Sequence, residues 1–274
     1  MQINKLLSRN SVTDIFTAVY VLVDDYLKAS EEQKRIKLPK KSNQKASYAE
    51  LLSIVLVGEI LQQNNQGAWF LMVKSEYSNL FPVLPSVSRF YRIQRNLERI
   101  YADLALIIAE HDGTYLIDSK PIPICKPVRQ NRKRSMTEAT LGYGTVSKFF
   151  YGFKLHAISN QLGYICRFAI VPANEHDITV AKAMLNQEYD DFKKIIGDKA
   201  YQGLGIHTPN KAKSLEPRNW SSLFSRARKS IETTFSILVR SKSLNLKQYN
   251  SFWSIRAAVC RKIAAHNLIL FLFN

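Results

Sequence analysis

The spacing of apolar residues changes near residue 110, and this change constrains the fold more than any other feature of the sequence. Before it, as in residues 15–27, apolar side chains recur every three or four positions, which is typical of amphipathic helices. After it, stretches appear in which apolar residues alternate with others, which predicts strands. The sequence therefore predicts an all-helical domain, residues 1–110, followed by an α/β domain, residues 111–274.

Serines mark the predicted helix starts of the first domain. Ser47 is followed three residues later by Glu50, which is the spacing of a capping box. Ser86 or Ser88 can begin a helix that continues through 90–107. The arginines on that helix are Arg89, Arg92, Arg95 and Arg99. A small bundle with an arginine-lined helix is able to read DNA in a helix-turn-helix manner, and the alternative is a solvated face of a structural helix.

The second domain is predicted to contain a mixed sheet flanked by helices. Its predicted elements, in order, are a strand at 115–118, a hairpin of strands at 147–159 and 164–171, a helix at 177–185, a short strand at 195–197 and helices from 220 to 272. This order of elements predicts an α/β layer in which parallel and antiparallel pairing are combined.

The charge balance favours an anionic partner. The chain has 39 Lys and Arg against 22 Asp and Glu, a formal net charge of +17. Such an excess favours nucleic acid first and a membrane surface second. No secretion signal is recognised, and the longest apolar run, 268–273, is far shorter than a spanning helix. We therefore expect a cytoplasmic protein.

Three acids form the leading candidate for a metal site. Asp118 follows the apolar run 115–117, Asp198 follows 195–197, and Glu232 lies in a segment with helical spacing. Carboxylates that converge at strand ends can hold two magnesium ions about 3.5–4 Å apart for phosphoryl transfer. Taken singly, Asp118 and Asp198 could equally be turn residues, because Asp is common in turns.

Five motifs around these acids occur in an order that resembles the DDE transposases of bacterial insertion sequences. The motifs lie at 117–121, 151–156, 171–177, 197–203 and 228–235, and the most specific are Asp-Lys-Ala-Tyr and Arg-x-x-x-Glu. The resemblance is closest to the insertion-sequence 982 type. It implies a ribonuclease-H-like catalytic domain at 111–274, preceded by a helical domain that binds DNA ends.

The resemblance also implies the roles of the acids and the partners of the protein. Asp118, Asp198 and Glu232 would form the catalytic, metal-binding triad, with Mg²⁺ as the cofactor and Mn²⁺ able to substitute. The partners would be double-stranded DNA, at the element ends and at the target, and a second copy of the chain. A homodimer is expected on DNA because joining two ends requires two active sites. A protein of this kind would be associated with the nucleoid.

The implied function is that of a transposase, which cleaves at insertion-sequence ends and transfers the 3′-hydroxyl ends to target DNA. Two alternatives remain open at this point. One is a metal-dependent nuclease of the same fold that does not join strands. The other is a catalytically inactive DNA-binding protein derived from a transposase.

Basic residues near the acids are the candidate phosphate contacts, namely Lys120, Lys154, Lys199 and Arg228. Arg228 stands four residues before Glu232, so a simple i,i+4 ion pair is the alternative for it. The basic segment 126–134 is predicted to be a loop that holds the DNA backbone through Arg132, Lys133 and Arg134. A solvated run of charge is the alternative for that segment.

Two positions depart from the family pattern. Several members carry a Tyr three residues before the Arg and a Lys seven residues after the Glu, where this chain has Ser225 and Val239. Arg240 is the candidate to replace that lysine. Elsewhere, His156 is interpreted as a polar residue beside the site, and Asp177 as the cap of the helix at 177–185.

Overall fold

The computed structural model divides the chain into two compact units. It describes residues 6–38, 45–132, 136–144, 148–186, 194–209, 222–240, 244 and 249–273. One unit comprises Met1–Ile108 and Ala257–Asn274, and the other comprises Ala109–Arg256. The sequence had grouped 257–274 with the α/β domain, whereas in the structure this segment belongs to the helical unit.

The helical unit is organised around one buried helix. Its helices are α1 (Val12–Glu32), α2 (Tyr48–Ile60), α3 (Gln66–Glu76), α4 (Val87–Arg95), α5 (Glu98–Ile107) and the C-terminal part of α8 (Phe252–Phe273). Nearly every residue of α2 is buried, which is typical of a helix that is apolar all round. The capping box of Ser47 and Glu50 is confirmed, because the Ser47 side chain accepts the Glu50 N–H at 3.0 Å.

The prediction of one helix through 90–107 is wrong, because the chain breaks into α4 and α5 at Asn96 and Leu97. The start at Ser86 is confirmed, since its side chain caps α4. The inner side of α4 packs tightly: Phe90 stacks on Phe70 with ring centroids 4.1 Å apart. The exposed arginines of this region are Arg92 and Arg95 on α4 and Arg99 on α5.

A buried cluster of charges joins α2 to the C-terminal segment inside the helical unit. Glu59 of α2 accepts from Arg261 Nε at 2.6 Å and from Lys262 Nζ at 2.8 Å, and all three residues are buried. Burial alone would raise the pKa of Glu59, but the two cations lower it below its ordinary value. The carboxylate is therefore ionised and fully compensated.

The second unit contains a five-stranded mixed sheet, which confirms the predicted fold class. Its strands are β1 (Thr114–Cys125), β2 (Thr140–Gly144), β3 (Lys148–Asn160), β4 (Ile165–Pro172) and β5 (Lys194–Ile196). Strand β3 is antiparallel to β1 along one edge, and to β2 and β4 along the other. Strand β5 is parallel to β1. The helices of this unit are α6 (Asp177–Leu185), α7 (Ser222–Arg240) and the first residues of α8.

The predicted hairpin is confirmed as β3 and β4. Asn160 closes it, because its side-chain oxygen accepts the Tyr164 N–H at 2.9 Å. Gly163 in the turn has a φ of +94°, a left-handed conformation that favours glycine. No helix in the described part of the chain is long and apolar enough to cross a membrane.

Strand β1 is much longer than predicted, and this corrects the position of Asp118. The sequence placed Asp118 at the end of a strand, but β1 continues to Cys125, so Asp118 lies within it. Pro121 and Pro123 sit in the extension, where β1 pairs only with β3 among the described residues, since β5 pairs with β1 no further than residue 116. A proline is tolerated there because the missing N–H is not needed on that edge.

Candidate active site

Asp118 is held in the middle of β1 opposite Ala157 of β3. The backbone N–H of Ser119 donates to its carboxylate at 2.8 Å, which fixes the orientation of the side chain. Burial raises the pKa of Asp118 to about 6; the Ser119 N–H and the Arg228 charge oppose the rise, and the charges of Asp198 and Glu232 add to it. The three acids are therefore close enough to influence one another electrostatically.

Asp198 lies just after β5, as predicted. It caps a short 3₁₀ turn, Lys199–Tyr201, and its carboxylate accepts the Lys199 N–H at 2.6 Å. Strand β5 is parallel to β1, so its C-terminal end brings Asp198 toward the same edge of the sheet as Asp118. A backbone N–H thus orients each of the two aspartates.

Glu232 lies on α7, and Arg228 joins it to Asp198. One guanidinium nitrogen of Arg228 is 3.2 Å from Asp198 Oδ1, and the other is 3.1 Å from Glu232 Oε1. The i,i+4 ion pair considered from the sequence is thus present, but it is only half of the contact. Arg228 bridges two of the three predicted acids, and about a third of its side chain is exposed.

The donor chemistry of the three acids fits a divalent metal ion, because magnesium and manganese prefer oxygen ligands. In the part of the chain that the structure describes, however, no group of three or more His, Cys, Asp or Glu side chains is arranged to hold an ion. The positive charge between Asp198 and Glu232 is supplied by Arg228 instead. The negative charges of Asp198 and Glu232 are therefore compensated by a guanidinium group.

A second polar cluster lies beside Asp118 and corrects the interpretation of Asp177. The N-cap position of α6 is occupied by His176, not Asp177. The Asp177 carboxylate instead accepts from Lys154 Nζ at 2.8 Å and from the Ser119 hydroxyl at 3.1 Å. Because Ser119 also orients Asp118, this cluster supports the strand position that carries the first acid.

His156 belongs to the same cluster and is fully buried. Its Nε2 atom is 3.9 Å from the Asp177 carboxylate, too far for a hydrogen bond, and neither ring nitrogen has a hydrogen-bond partner among the residues described. Burial lowers the pKa of His156 to about 4; Asp177 opposes this shift and Lys154 adds to it. The ring is therefore neutral at pH 7. From the sequence, His156 was interpreted only as a polar residue beside the site.

The basic residues predicted to contact DNA lie in different environments. Lys199 is exposed beside Asp198, and Lys120 is half-buried two residues after Asp118, on the same side of β1. Arg240 ends α7 and is exposed. The segment predicted as a loop includes a 3₁₀ turn, Pro127–Arg132, with Arg132 exposed at its end. Lys133 and Arg134 lie outside the described residues.

The fold and the site together define a class of protein. A mixed sheet with antiparallel β1, β3 and β4, a parallel β5, and acids on β1, after β5 and on a following helix is the arrangement of a ribonuclease-H-like enzyme domain. Residues 108–246, just over half of the chain, match the family model for the transposase DDE domain. The chain therefore belongs to the DDE transposases.

Membership in this family confirms the resemblance at the level of the family and not at the level of the insertion-sequence 982 type. It makes the protein a transposase-class enzyme that binds DNA, and DDE transposases generally use divalent metal ions. No curated protein and no solved structure matches the chain significantly.

Proposed function

We propose that this protein cleaves DNA at the ends of an insertion sequence of the 982 type and joins the 3′-hydroxyl ends to target DNA. Asp118, Asp198 and Glu232 are the catalytic carboxylates in this proposal, with Mg²⁺ as the cofactor and Mn²⁺ as a substitute. The observation that supports it most directly is that Arg228 contacts both Asp198 and Glu232, while burial raises the pKa of Asp118 and the charges of these two acids add to the rise.

The proposed chemistry is an in-line displacement at phosphorus. Two bound magnesium ions would activate the attacking oxygen and stabilise the leaving oxygen. The chain itself supplies the orientation: the N–H groups of Ser119 and Lys199 hold the carboxylates of Asp118 and Asp198 before DNA binds. Fixed donors of this kind limit the reorganisation needed in the transition state. Lys120 and Lys199 are the proposed contacts to the phosphates that flank the scissile bond.

Arg228 has two successive partners in this proposal. Without bound cations it compensates Asp198 and Glu232, whose mutual repulsion it reduces. Asp198 and Glu232 would hold a metal ion through the same carboxylate oxygens, so the guanidinium group would be released when the ion binds. Once released, Arg228 is free to pair with a phosphate of the bound DNA, which is the charge-assisted contact that arginine makes best.

The remaining DNA contacts are proposed from the positions of basic residues in the sequence. On the sheet unit they are Arg132, Lys133, Arg134 and Arg240, together with Lys154, which in this structure is bound to Asp177. In the proposed DNA-end-binding domain, residues 1–110, the exposed arginines of α4 and α5 are the leading contacts. We further propose that the protein acts at the nucleoid as a homodimer on DNA, because two ends must be joined.

A strand-transfer assay tests the proposed function. Purified protein is supplied with Mg²⁺ and with DNA that carries the short inverted repeats flanking its gene. The conservative variants D118N, D198N and E232Q keep the shape of each side chain and remove its charge. We expect the strand-transfer activity of each variant to fall by more than roughly 10–100-fold, which is the typical loss when residues that only support the metal ligands are replaced. E138Q, at an exposed glutamate of the same unit, is the matched control.

Each alternative corresponds to a distinct result of this assay. Cleavage at the repeats with no joined product would identify a nuclease, and binding with no cleavage would identify an inactive DNA-binding protein. Undiminished joining by one of the three variants would remove that residue from the triad.

A further inference from the structure

Two large aromatic side chains are exposed together on strands β2 and β3. Tyr143 and Phe149 are cross-strand partners, and their rings make an edge-to-face contact with centroids 5.4 Å apart. Each is 64% exposed, and Leu141, two residues away on the same side of β2, is 44% exposed. A contiguous exposed apolar patch of this kind is typical of an interaction site.

The patch lines a groove of about 550 Å³. The groove is also lined by Lys154, by residues 173–178 and by Ala200, which is two residues from Asp198. It therefore extends from the aromatic pair to the chain segment that carries the second acid of the candidate active site. Lys154 connects it to the first acid as well, because its partner Asp177 also holds Ser119.

Contacts within the chain define the walls of the groove. The Thr140 hydroxyl donates to the Asn174 side chain at 2.9 Å and accepts the Asn174 N–H at 3.0 Å, which ties the segment 173–178 to β2. At Gly142 a Cβ atom would lie 2.6 Å from the Ala173 carbonyl oxygen, so only glycine allows the two backbones to approach so closely. The walls are therefore held by hydrogen bonds and by close packing.

The chemistry of the groove fits the base of a nucleotide better than its phosphate. Glu175 lines the groove and is exposed, and its carboxylate repels phosphate but accepts hydrogen bonds from the amino groups of bases, whereas the charge of Asp177 is compensated by Lys154. Tyr143 and Phe149 offer ring faces on which a base can stack. A base inside a duplex is already stacked on both sides. The binding energy gained by stacking on one of these rings is therefore largest for a base that has left the duplex.

We propose that this groove binds an unpaired nucleobase of a DNA strand, stacked on Tyr143 or Phe149, next to the candidate active site. The inference rests on the proposed function only in taking DNA as the substrate. It adds a binding site that lies outside the three acids and their basic neighbours, and it predicts that strands separate locally where the enzyme acts.

The test compares overhang and blunt DNA on the full-length protein in EDTA, so that no strand is cut. The probe is a duplex with a single-stranded 3′ overhang that contains 2-aminopurine, whose fluorescence falls when the base stacks. We expect the wild-type protein to quench it. The variant Y143A/F149A should lose the quenching and bind the overhang DNA about ten-fold or more weakly, with unchanged affinity for blunt duplex.

Two controls separate stacking from other effects. Y143F/F149Y keeps both rings and should bind and quench like wild type. L162A removes another exposed apolar side chain, in the β3–β4 turn, and should also change nothing. The single variants Y143A and F149A provide a second measurement, since each removes a largely exposed ring and leaves the core intact.

Equal quenching and affinity in Y143A/F149A and wild type would overturn the inference. So would an equal loss of affinity for blunt and overhang DNA, because that result would identify a duplex contact. The measurement needs neither metal nor strand joining. A protein that binds the overhang as expected but never joins strands would therefore contradict the proposed function alone.

Discussion

The guanidinium group of Arg228 lies 3.2 Å from the Asp198 carboxylate, although 30 residues separate them in the chain. The same group reaches Glu232 one turn along α7. One cationic side chain therefore sits among acids that are predicted to bind metal. This relationship leads to a prediction that concerns metal affinity and not only catalysis.

R228Q should bind Mn²⁺ about ten-fold more tightly than wild type, a difference of roughly 1.4 kcal/mol. The reason is that a metal ion no longer has to displace the guanidinium group from Asp198 and Glu232. The variant should also be less stable than wild type without metal, since the acids lose their compensating charge. Calorimetric titration and thermal denaturation with and without Mn²⁺ measure both effects.

R226Q is the matched control, because Arg226 is an exposed arginine of the same helix. Its metal affinity should equal that of wild type. Weaker or equal metal binding by R228Q would show that the arginine does not compete with the ion. If neither protein binds metal, the assignment of the triad itself fails.

The stability of the metal-free protein should depend on pH through Asp118. Its folded pKa of about 6 lies above the ordinary value near 3.9, so folding favours the protonated form. The stabilising contribution is full below about pH 4 and is lost as the pH rises through about 6. D118N stays neutral throughout. The melting temperature of D118N relative to wild type should therefore rise by about 2 °C or more between pH 4 and pH 7.5.

Thermal denaturation in EDTA across this pH range measures the difference. D25N, at an exposed aspartate of α1, provides the control, because its charge stays in water in both states. A difference in melting temperature between D118N and wild type that does not change with pH would contradict the raised pKa of Asp118.

The exposed arginines of α4 and α5 should set the salt dependence of duplex binding. Replacing Arg92, Arg95 and Arg99 by Gln should reduce the slope of log affinity against log salt by about 2 to 3, because each phosphate contact contributes about 0.9. The triple variant R9Q/K34Q/K37Q removes the same charge from other exposed positions of the helical unit. An equal change of slope in both triple variants would indicate a general charge effect and no dedicated surface.

E59Q should destabilise the helical unit by about 3 to 5 kcal/mol, because Arg261 and Lys262 would lose the carboxylate charge that they contact in the interior. Amide hydrogen exchange in α2 reports this loss locally. D24N breaks the exposed ion pair of Asp24 with Lys28 and should have little effect. Unchanged protection of α2 in E59Q would show that the cations find other partners.

Local signals in the sequence predicted much of the fold. The capping box at Ser47 depends on contacts within three residues, and the β3–β4 hairpin depends on a turn that contains Gly163. Strand β2 was missed because two of its five residues are glycines, which are rare in strands. The break between α4 and α5 at Asn96 was missed because neither Pro nor Gly marks it.

The site residues that lie in recognisable motifs were predicted from the sequence. Contacts between residues that are distant in the sequence were not predicted. Asp177 has the spacing of a helix cap, and only the folded chain brings it to Ser119, 58 residues earlier. In the same way, Arg228 and Glu232 were paired from their spacing, but the contact to Asp198 was not foreseen. The groove at Tyr143 was not predicted, because one of its walls is strand β2, which the sequence did not indicate.

The order in which the chain is synthesised has a consequence for the helical unit. Its first helices leave the ribosome early, but its last segment, Ala257–Asn274, follows the whole sheet unit in the sequence. Until that segment emerges, Glu59 has neither Arg261 nor Lys262 beside it. The helical unit thus begins to be translated before the sheet unit, but it is completed after it. A truncation at residue 256 would remove the partners of Glu59 while leaving the acids on β1, after β5 and on α7 in place.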